Sequence, residues 1–288
     1  MENKTKHRSV SQMNVYTSCA KKYKYQYIDK VNIMTDDPNK SLGLALHKAQ
    51  EFNYRQKIES KKDLPFEKVN QFMMEFLMDE FKNNKDNENY FKVKYGKLET
   101  GEEIMAKAKS MLNLLYYKQM VKTQPLYVEL PITLEIKGVE FLMYIDLVDE
   151  NYIIRDLKTS ASSYSENVLD FNTQLIFYAL GFRKKFNMKE KGIGLDILVK
   201  TKEPKLQVFR GEVSDNQINE ALDNLDQIER AIEAKIFPPV NNQMTCSWCD
   251  FKDICHEDGG LPDAKELEKK LKNINIKKDE KSKGQLAT

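Results

Sequence analysis

Tyr144-Ile145-Asp146-Leu147-Val148-Asp149-Glu150-Asn151-Tyr152-Ile153-Ile154-Arg155-Asp156-Leu157-Lys158-Thr159 is the stretch on which the fold turns. Two runs rich in β-branched and aromatic residues are separated by the polar turn Asp149-Glu150-Asn151, which predicts two strands. Upstream, Lys137-Gly138 divides Tyr127–Ile136 from Val139–Val148, the pattern of a tight hairpin turn. Together with Tyr152–Leu157 these make an antiparallel meander. Residues two apart on a strand share a face, so Asp156 and Lys158 project together, and the meander brings Asp146 to the neighbouring strand. Around them stand Phe141, Leu142, Ile145, Leu147, Ile153, Ile154 and Leu157. Charges in such surroundings need a compensating partner. Two carboxylates suit a hard divalent ion, Mg²⁺ or Mn²⁺, that polarises a phosphodiester, with Lys158 stabilising developing charge. Spacing alone leaves a strand-end salt bridge as the other reading.

Helices are expected before this sheet, at Ser41–Ser60, Phe66–Phe81 and Glu102–Val121, from apolar residues at helical period such as Leu42, Ala45, Leu46, Ala49 and Phe52. Asn83–Asn89 reads as a loop. After the meander a helix is expected over Ser165–Phe186, then strands Gly194–Lys200 and Leu206–Val213. Ser214 with Gln217 is a capping-box signature that opens a helix through Ile232. A cysteine-bearing segment follows, then a Lys-rich tail over 263–288. The organisation is one domain over 1–262: a basic, Tyr-rich start (1–30), a helical region (41–121), the sheet core (127–213), and a helix with the cysteine segment (214–256). In the helix after the meander, Gln174 and Tyr178 stand four apart and share a face, polar-tipped in an apolar stretch. His47 sits in the apolar run Leu42-Gly43-Leu44-Ala45-Leu46, where a hydrogen-bonded core histidine is the plainer reading.

The 288 residues are 41 % hydrophobic, enough for a core, and carry a net charge of +2. These values exclude a polybasic coat, an acidic disordered chain and a collagen-like repeat. No apolar run approaches a membrane span, and Met1–Ser9 lacks the apolar stretch of a secretory signal, so a cytoplasmic protein is expected. Residues 1–30 carry seven Lys or Arg against two acids, interleaved with Tyr16, Tyr23, Tyr25 and Tyr27. Rings beside cations can hold single-stranded nucleic acid; an amphipathic helix with tyrosines inward explains the pattern equally.

At these residues the sequence resembles the RecB-like branch of the PD-(D/E)XK nucleases, closest to the iron–sulfur members: AddB-type nuclease domains and CRISPR-associated RecB-like exonucleases. Gly43-Leu44-Ala45-Leu46-His47 is similar to the motif whose histidine ligates the metal. Tyr144-Ile145-Asp146 resembles the first carboxylate motif, although Met143 stands where the family often has Gly. Ile153–Thr159 is similar to the Asp-x-Lys-Thr motif, and Gln174-Leu175-Ile176-Phe177-Tyr178 to the Gln-x-x-x-Tyr helix that positions DNA. The resemblance implies a restriction-endonuclease-like α/β fold, a central mixed sheet flanked by helices with a helical N-terminal insertion. It implies Mg²⁺ or Mn²⁺ held by His47, Asp146, Asp156 and the Leu157 carbonyl, with Lys158 catalytic. The function implied is a metal-dependent DNA exonuclease acting on single-stranded or duplex ends in recombination, repair, phage DNA processing or CRISPR adaptation. A catalytically inactive, DNA-binding subunit of a larger complex is the alternative. No G-x-x-x-x-G-K-[S/T] loop is present, so a helicase, or a recombination or CRISPR partner, would be another chain.

Cys246-x2-Cys249-x5-Cys255 and the distant Cys19 look like the family's [4Fe–4S] site, which would staple the two ends of the chain. Zinc at the same cysteines, or at Cys246, Cys249, Cys255 and His256, is the alternative.

Overall fold

The structure is a computed structural model that describes residues 7–31, 38–84 and 100–257. The expected tail over 263–288, and positions 85–89 of the expected loop, lie outside the described residues. In order, the elements are β1 (His7–Arg8), α1 (Val10–Ser18), α2 (Ala20–Tyr23) running into a π-turn (Lys24–Ile28), α3 (Pro38–Ser60), α4 (Phe66–Asn83) and α5 (Gly101–Lys118) with a 3-10 turn (Met120–Lys122). Then come β2 (Pro125–Ile136), β3 (Val139–Asp149), β4 (Ile153–Ser160), a second 3-10 turn (Glu166–Leu169), α6 (Thr173–Phe186), β5 (Gly192–Val199), β6 (Lys205–Gly211), α7 (Asp215–Glu233), α8 (Gln243–Ser247) and α9 (Lys252–Glu257). The chain divides into two compact units, Met1–Val10 with Asp36–Leu222, and Ser11–Thr35 with Asp223–Thr288.

The first unit is a mixed sheet flanked by helices. The hairpin turn at Lys137-Gly138 has φ of 50° and 78°, positive at both positions as a twist-matched hairpin requires. β2 pairs antiparallel with β3 from end to end. β3 then meets β4 only at Leu147↔Arg155 and Val148↔Ile154, and the short β1 takes up Glu140 and Phe141 in parallel. β3 and β4 therefore part company just beyond their two shared pairs. β4 pairs with β5 in parallel over Ile153–Ser160, and β6 closes the order antiparallel to β5. Every residue of β5 is buried, as befits a central strand.

One face of the sheet meets α3, α4 and α5 in a core that includes Leu46, Leu77, Leu112, Leu147, Leu157 and Leu198. α6 packs through Phe177, stacked on Phe141 at 5.7 Å. Two capping boxes fix helix starts, Thr100 with Glu103 at α5 and the expected Ser214 with Gln217 at α7. The single helix expected over Ser165–Phe186 is broken. Asn172 accepts a hydrogen bond from the Leu175 amide at 3.0 Å and starts a new helix there, because an Asn side chain satisfies an otherwise orphaned amide better as a cap than inside a helix.

Gly43 lets α3 approach the end of β4. A Cβ at this position would lie 3.0 Å from the Thr159 hydroxyl. We expect Gly43→Ala to be near neutral, since the added methyl gains helix propensity and Thr159 can rotate. Gly43→Val should lower stability by about 1–3 kcal/mol through overpacking. Thermal unfolding of the two variants checks the contrast, and equal midpoints would remove the close approach as the explanation.

The second unit contains all four cysteines, and here the structure corrects the sequence. Cys19, Cys246, Cys249 and Cys255 are free thiols lining a cavity of about 110 Å³. Among the described residues, no group of three or more His, Cys, Asp or Glu side chains is placed to hold a metal ion. The [4Fe–4S] staple and the zinc alternative are both overturned by that finding. What joins these segments instead is apolar packing: Tyr25, Val31, Phe251 and Ile254 form a buried cluster, with Cys249 and Cys255 against it. Tyr25 stacks on Phe251 at 5.4 Å, and the Tyr16 hydroxyl donates to the Ile236 carbonyl at 2.7 Å. The Cys246 thiol donates to the Val240 carbonyl at 3.2 Å, and burial pushes the Cys249 thiol above its ordinary pKa. Thiols packed in this way behave as small apolar side chains.

Candidate active site

Asp146 and Asp156 lie one register step beyond the last pair shared by β3 and β4, so the fork between the strands opens at the two carboxylates. Parallel pairing of β4 with β5 continues past Asp156 and holds Lys158 and Thr159 in line. The Asp156 side chain is 1 % exposed and that of Lys158 is 37 %. The lysine Nζ donates to Asp156 Oδ1 at 3.0 Å and lies 2.9 Å from Oδ2. Asp146 Oδ2 accepts from the Leu157 amide at 3.4 Å and is 3.4 Å from His47 Nδ1. Four side chains expected from the sequence, His47, Asp146, Asp156 and Lys158, are thus brought together from α3, β3 and β4.

Electrostatics at the fork follow from burial. Desolvation, opposed by Lys158, raises Asp146 to about 6. Desolvation and the neighbouring Asp146 charge raise Asp156 to about 7. The two are hydrogen-bonded, so near neutral pH they behave as a coupled pair sharing a proton. Burial works against the Lys158 charge, but Asp156 and Asp146 outweigh it and hold the ammonium above its ordinary pKa. Burial pushes the His47 imidazole below its ordinary pKa, against the pull of Asp156, and it is neutral at pH 7.

Gln174 and Tyr178 stand on the first two turns of α6 and are bonded to each other, Gln174 Nε2 donating to the Tyr178 hydroxyl at 2.7 Å. Burial, then the charges of Asp146 and Asp156, push the Tyr178 phenol up. Its hydroxyl therefore stays protonated within electrostatic reach of the pair.

The cleft beside the fork has a volume of about 440 Å³ and is lined by Gly43, His47, Lys158 and Thr159 together with two carboxylates that sequence reading passed over, Glu51 and Glu129. Glu129 falls between the pairs Val128↔Leu147 and Leu130↔Ile145, opposite Asp146. Its φ is 49°, a left-handed conformation rare for a non-glycine residue and typical of functional positions. Burial, then the Glu51 charge, raises its pKa. The available signal was a lone acid inside the apolar run Tyr127-Val128-Glu129-Leu130. Glu51 is held by Lys48 at 2.7 Å and Arg55 at 2.6 Å.

The expected Mg²⁺ or Mn²⁺ cofactor is corrected together with the iron–sulfur cluster. Among the described residues His47, Asp146 and Asp156 do not form a three-side-chain metal group. At the fork the Lys158 ammonium sits against Asp156, and Asp146 Oδ2 turns to the Leu157 amide.

Among the described residues no helix is long and apolar enough to cross a membrane. No curated protein matches the chain. A solved structure from Eubacterium rectale, provisionally described as an exonuclease, superposes with a TM-score of 0.54, covering 89 % of this chain and 90 % of that one at 16 % identity, a likeness of fold. The structure of a protein called SSO0001 covers 90 % of each chain at 12 % identity with a TM-score of 0.41. The family model of the PD-(D/E)XK nuclease superfamily matches residues 7–256, which contain the whole sheet and every residue of the fork, and the chain belongs to that superfamily.

Proposed function

We propose that the protein is a deoxyribonuclease that hydrolyses phosphodiester bonds at DNA ends. In this reading Asp146, Asp156 and Lys158 carry the cleavage, while Gln174 and Tyr178 position the strand. The observation that supports it most is the fork itself: a buried carboxylate pair bonded to a charged lysine that lines the cleft, in a chain of a nuclease superfamily. In hydrolysis a water oxygen joins phosphorus, one P–O ester bond breaks, and the leaving alkoxide takes a proton. A carboxylate whose pKa lies near neutrality suits the acceptance of the water's proton. The Lys158 ammonium, fixed by Asp156, stands where it can face charge growing on the phosphate oxygens. His47 and the Leu157 carbonyl belong to the same cluster and complete its polar wall. Ends in recombination, repair, phage DNA processing or CRISPR adaptation, and a separate helicase partner, fit this reading equally.

The test is digestion of end-labelled DNA, single-stranded and duplex, in parallel with Mg²⁺, with Mn²⁺ and with chelator, so that cation dependence is measured. Wild-type protein should release short products from the labelled end. Gln174→Ala and Tyr178→Phe should each slow cleavage by roughly tenfold or more while the helical circular dichroism is unchanged. Binding without cleavage under every condition would replace this reading with that of a DNA-binding subunit.

A further inference from the structure

Between β4, which ends two residues after Lys158, and α6, which carries Gln174 and Tyr178, the chain presents two aromatic residues to solvent. Tyr164 is 41 % exposed and Phe171 79 % exposed. The segment that bears them is not loosely attached. The Tyr164 amide donates to Gln207 Oε1 at 2.9 Å, and Gln207 Nε2 donates back to the Tyr164 carbonyl at 3.0 Å. Leu169 lies over Gly211, so close that a Cβ there would meet Leu169 Cδ1 at 3.0 Å. The connection is thus clamped to β6 while its rings are left outside, and the Tyr164 phenol is near enough to Lys158 for the two to interact electrostatically. A ring kept exposed by a fixed backbone gains nothing for folding. Beside a phosphodiester site it offers a π-face to a neighbouring base, and base–aromatic stacking tolerates any sequence. Bases inside a duplex have their faces already covered.

Resting on the nuclease reading above, we propose that Tyr164 and Phe171 form a stacking platform for unpaired bases, so that the site takes single-stranded DNA ends. The platform holds the bases while Lys158 and the carboxylate fork face the adjoining phosphate.

Binding is measured in chelator, without turnover, using single strands with 2-aminopurine near one end, a strand of the same length with abasic sites near that end, and a blunt duplex. Wild-type protein should quench 2-aminopurine and prefer the base-bearing strand. Phe171→Ala and Tyr164→Ala should each weaken that binding roughly tenfold or more and abolish part of the quenching, with little change on the abasic strand. Phe171→Trp and Tyr164→Phe, which keep a ring, should restore both. Equal losses on base-bearing and abasic strands, or wild-type binding by both alanine variants, would overturn the platform. Quenching by a protein that cleaves nothing in the digestion assay would support the platform and refute the nuclease reading. Cleavage without base-dependent binding would do the reverse.

Discussion

Asp156→Asn should lower DNA cleavage by about a thousandfold or more and, in metal-free buffer at pH 8, raise the thermal midpoint of the protein. Both effects have the same origin. Asp156 is 1 % exposed, and burial together with Asp146 lifts its pKa from an ordinary 3.8 to about 7. Asp146 is lifted to about 6. Between about pH 4 and pH 7 the folded protein therefore binds more protons than the unfolded chain. Stability must fall as pH rises through that window, and above it the full penalty of two buried carboxylates is present. An asparagine has the same shape and no charge to desolvate, and Asp146 remains to pair Lys158. The gain at pH 8 should be on the order of 1–2 kcal/mol, less than the shift alone implies because Lys158 loses one partner. The gap should shrink as pH falls towards 5. Thermal unfolding at both pH values decides it. A lower midpoint than wild type at pH 8 would show that the carboxylate is stabilised where it sits, and that the fork is a structural salt bridge.

This expectation was within reach of the sequence, because it depends on spacing. Asp146, Asp156 and Lys158 are set on one patch by strand period and hairpin geometry, and Lys137-Gly138 and Ser214-Gln217 sit at a turn and a cap that local chemistry dictates. Other features depend on relations no local pattern encodes. The early separation of β3 from β4 leaves no mark in either strand, yet it is what sets Asp146 and Asp156 just beyond the last shared pair. Glu129 enters the site through one left-handed residue in a strand that alternation treats as ordinary. Asn172 splits a continuous apolar pattern because a cap competes locally with helix continuation. The cysteines show the opposite failure. Their spacing resembles a cluster motif, but spacing does not set how thiols are oriented, and Cys249 and Cys255 pack against the Tyr25 and Phe251 cluster.

Arg155, the immediate neighbour of Asp156, should show the inverse signature: Arg155→Ala should destabilise the protein strongly while sparing cleavage by the molecules that remain folded. Adjacent residues on a strand point to opposite faces, and Arg155 turns away from the cleft into a buried polar network. Its Nε and Nη2 donate to Asp196 Oδ2 at 3.1 and 2.5 Å. Its Nη1 donates to the Thr123 hydroxyl at 2.7 Å and its Nη2 to Gln119 Oε1 at 2.8 Å. These bonds tie β4 to β5 and to the segment that leads from α5 into β2. The side chains of Arg155 and Asp196 are 6 % and 3 % exposed, so deleting one strands a buried charge on the other, a change that typically costs 3–5 kcal/mol. Arg210 Nη1 remains 2.8 Å from Asp196 Oδ1 and should hold the loss near the lower end, about 3 kcal/mol. Asp196→Ala should be at least as damaging, because among the described residues Arg155 would keep only Asp149 at 3.9 Å as an ionic partner. The double variant should be less destabilised than the two single losses added together, by about 1–3 kcal/mol, since each single change already breaks the shared bonds. Urea unfolding of the four proteins gives this cycle directly. Additive losses would mean that Arg155 and Asp196 stabilise the sheet independently, and a normal unfolding curve for Arg155→Ala with cleavage abolished would move the arginine from the framework into the active site.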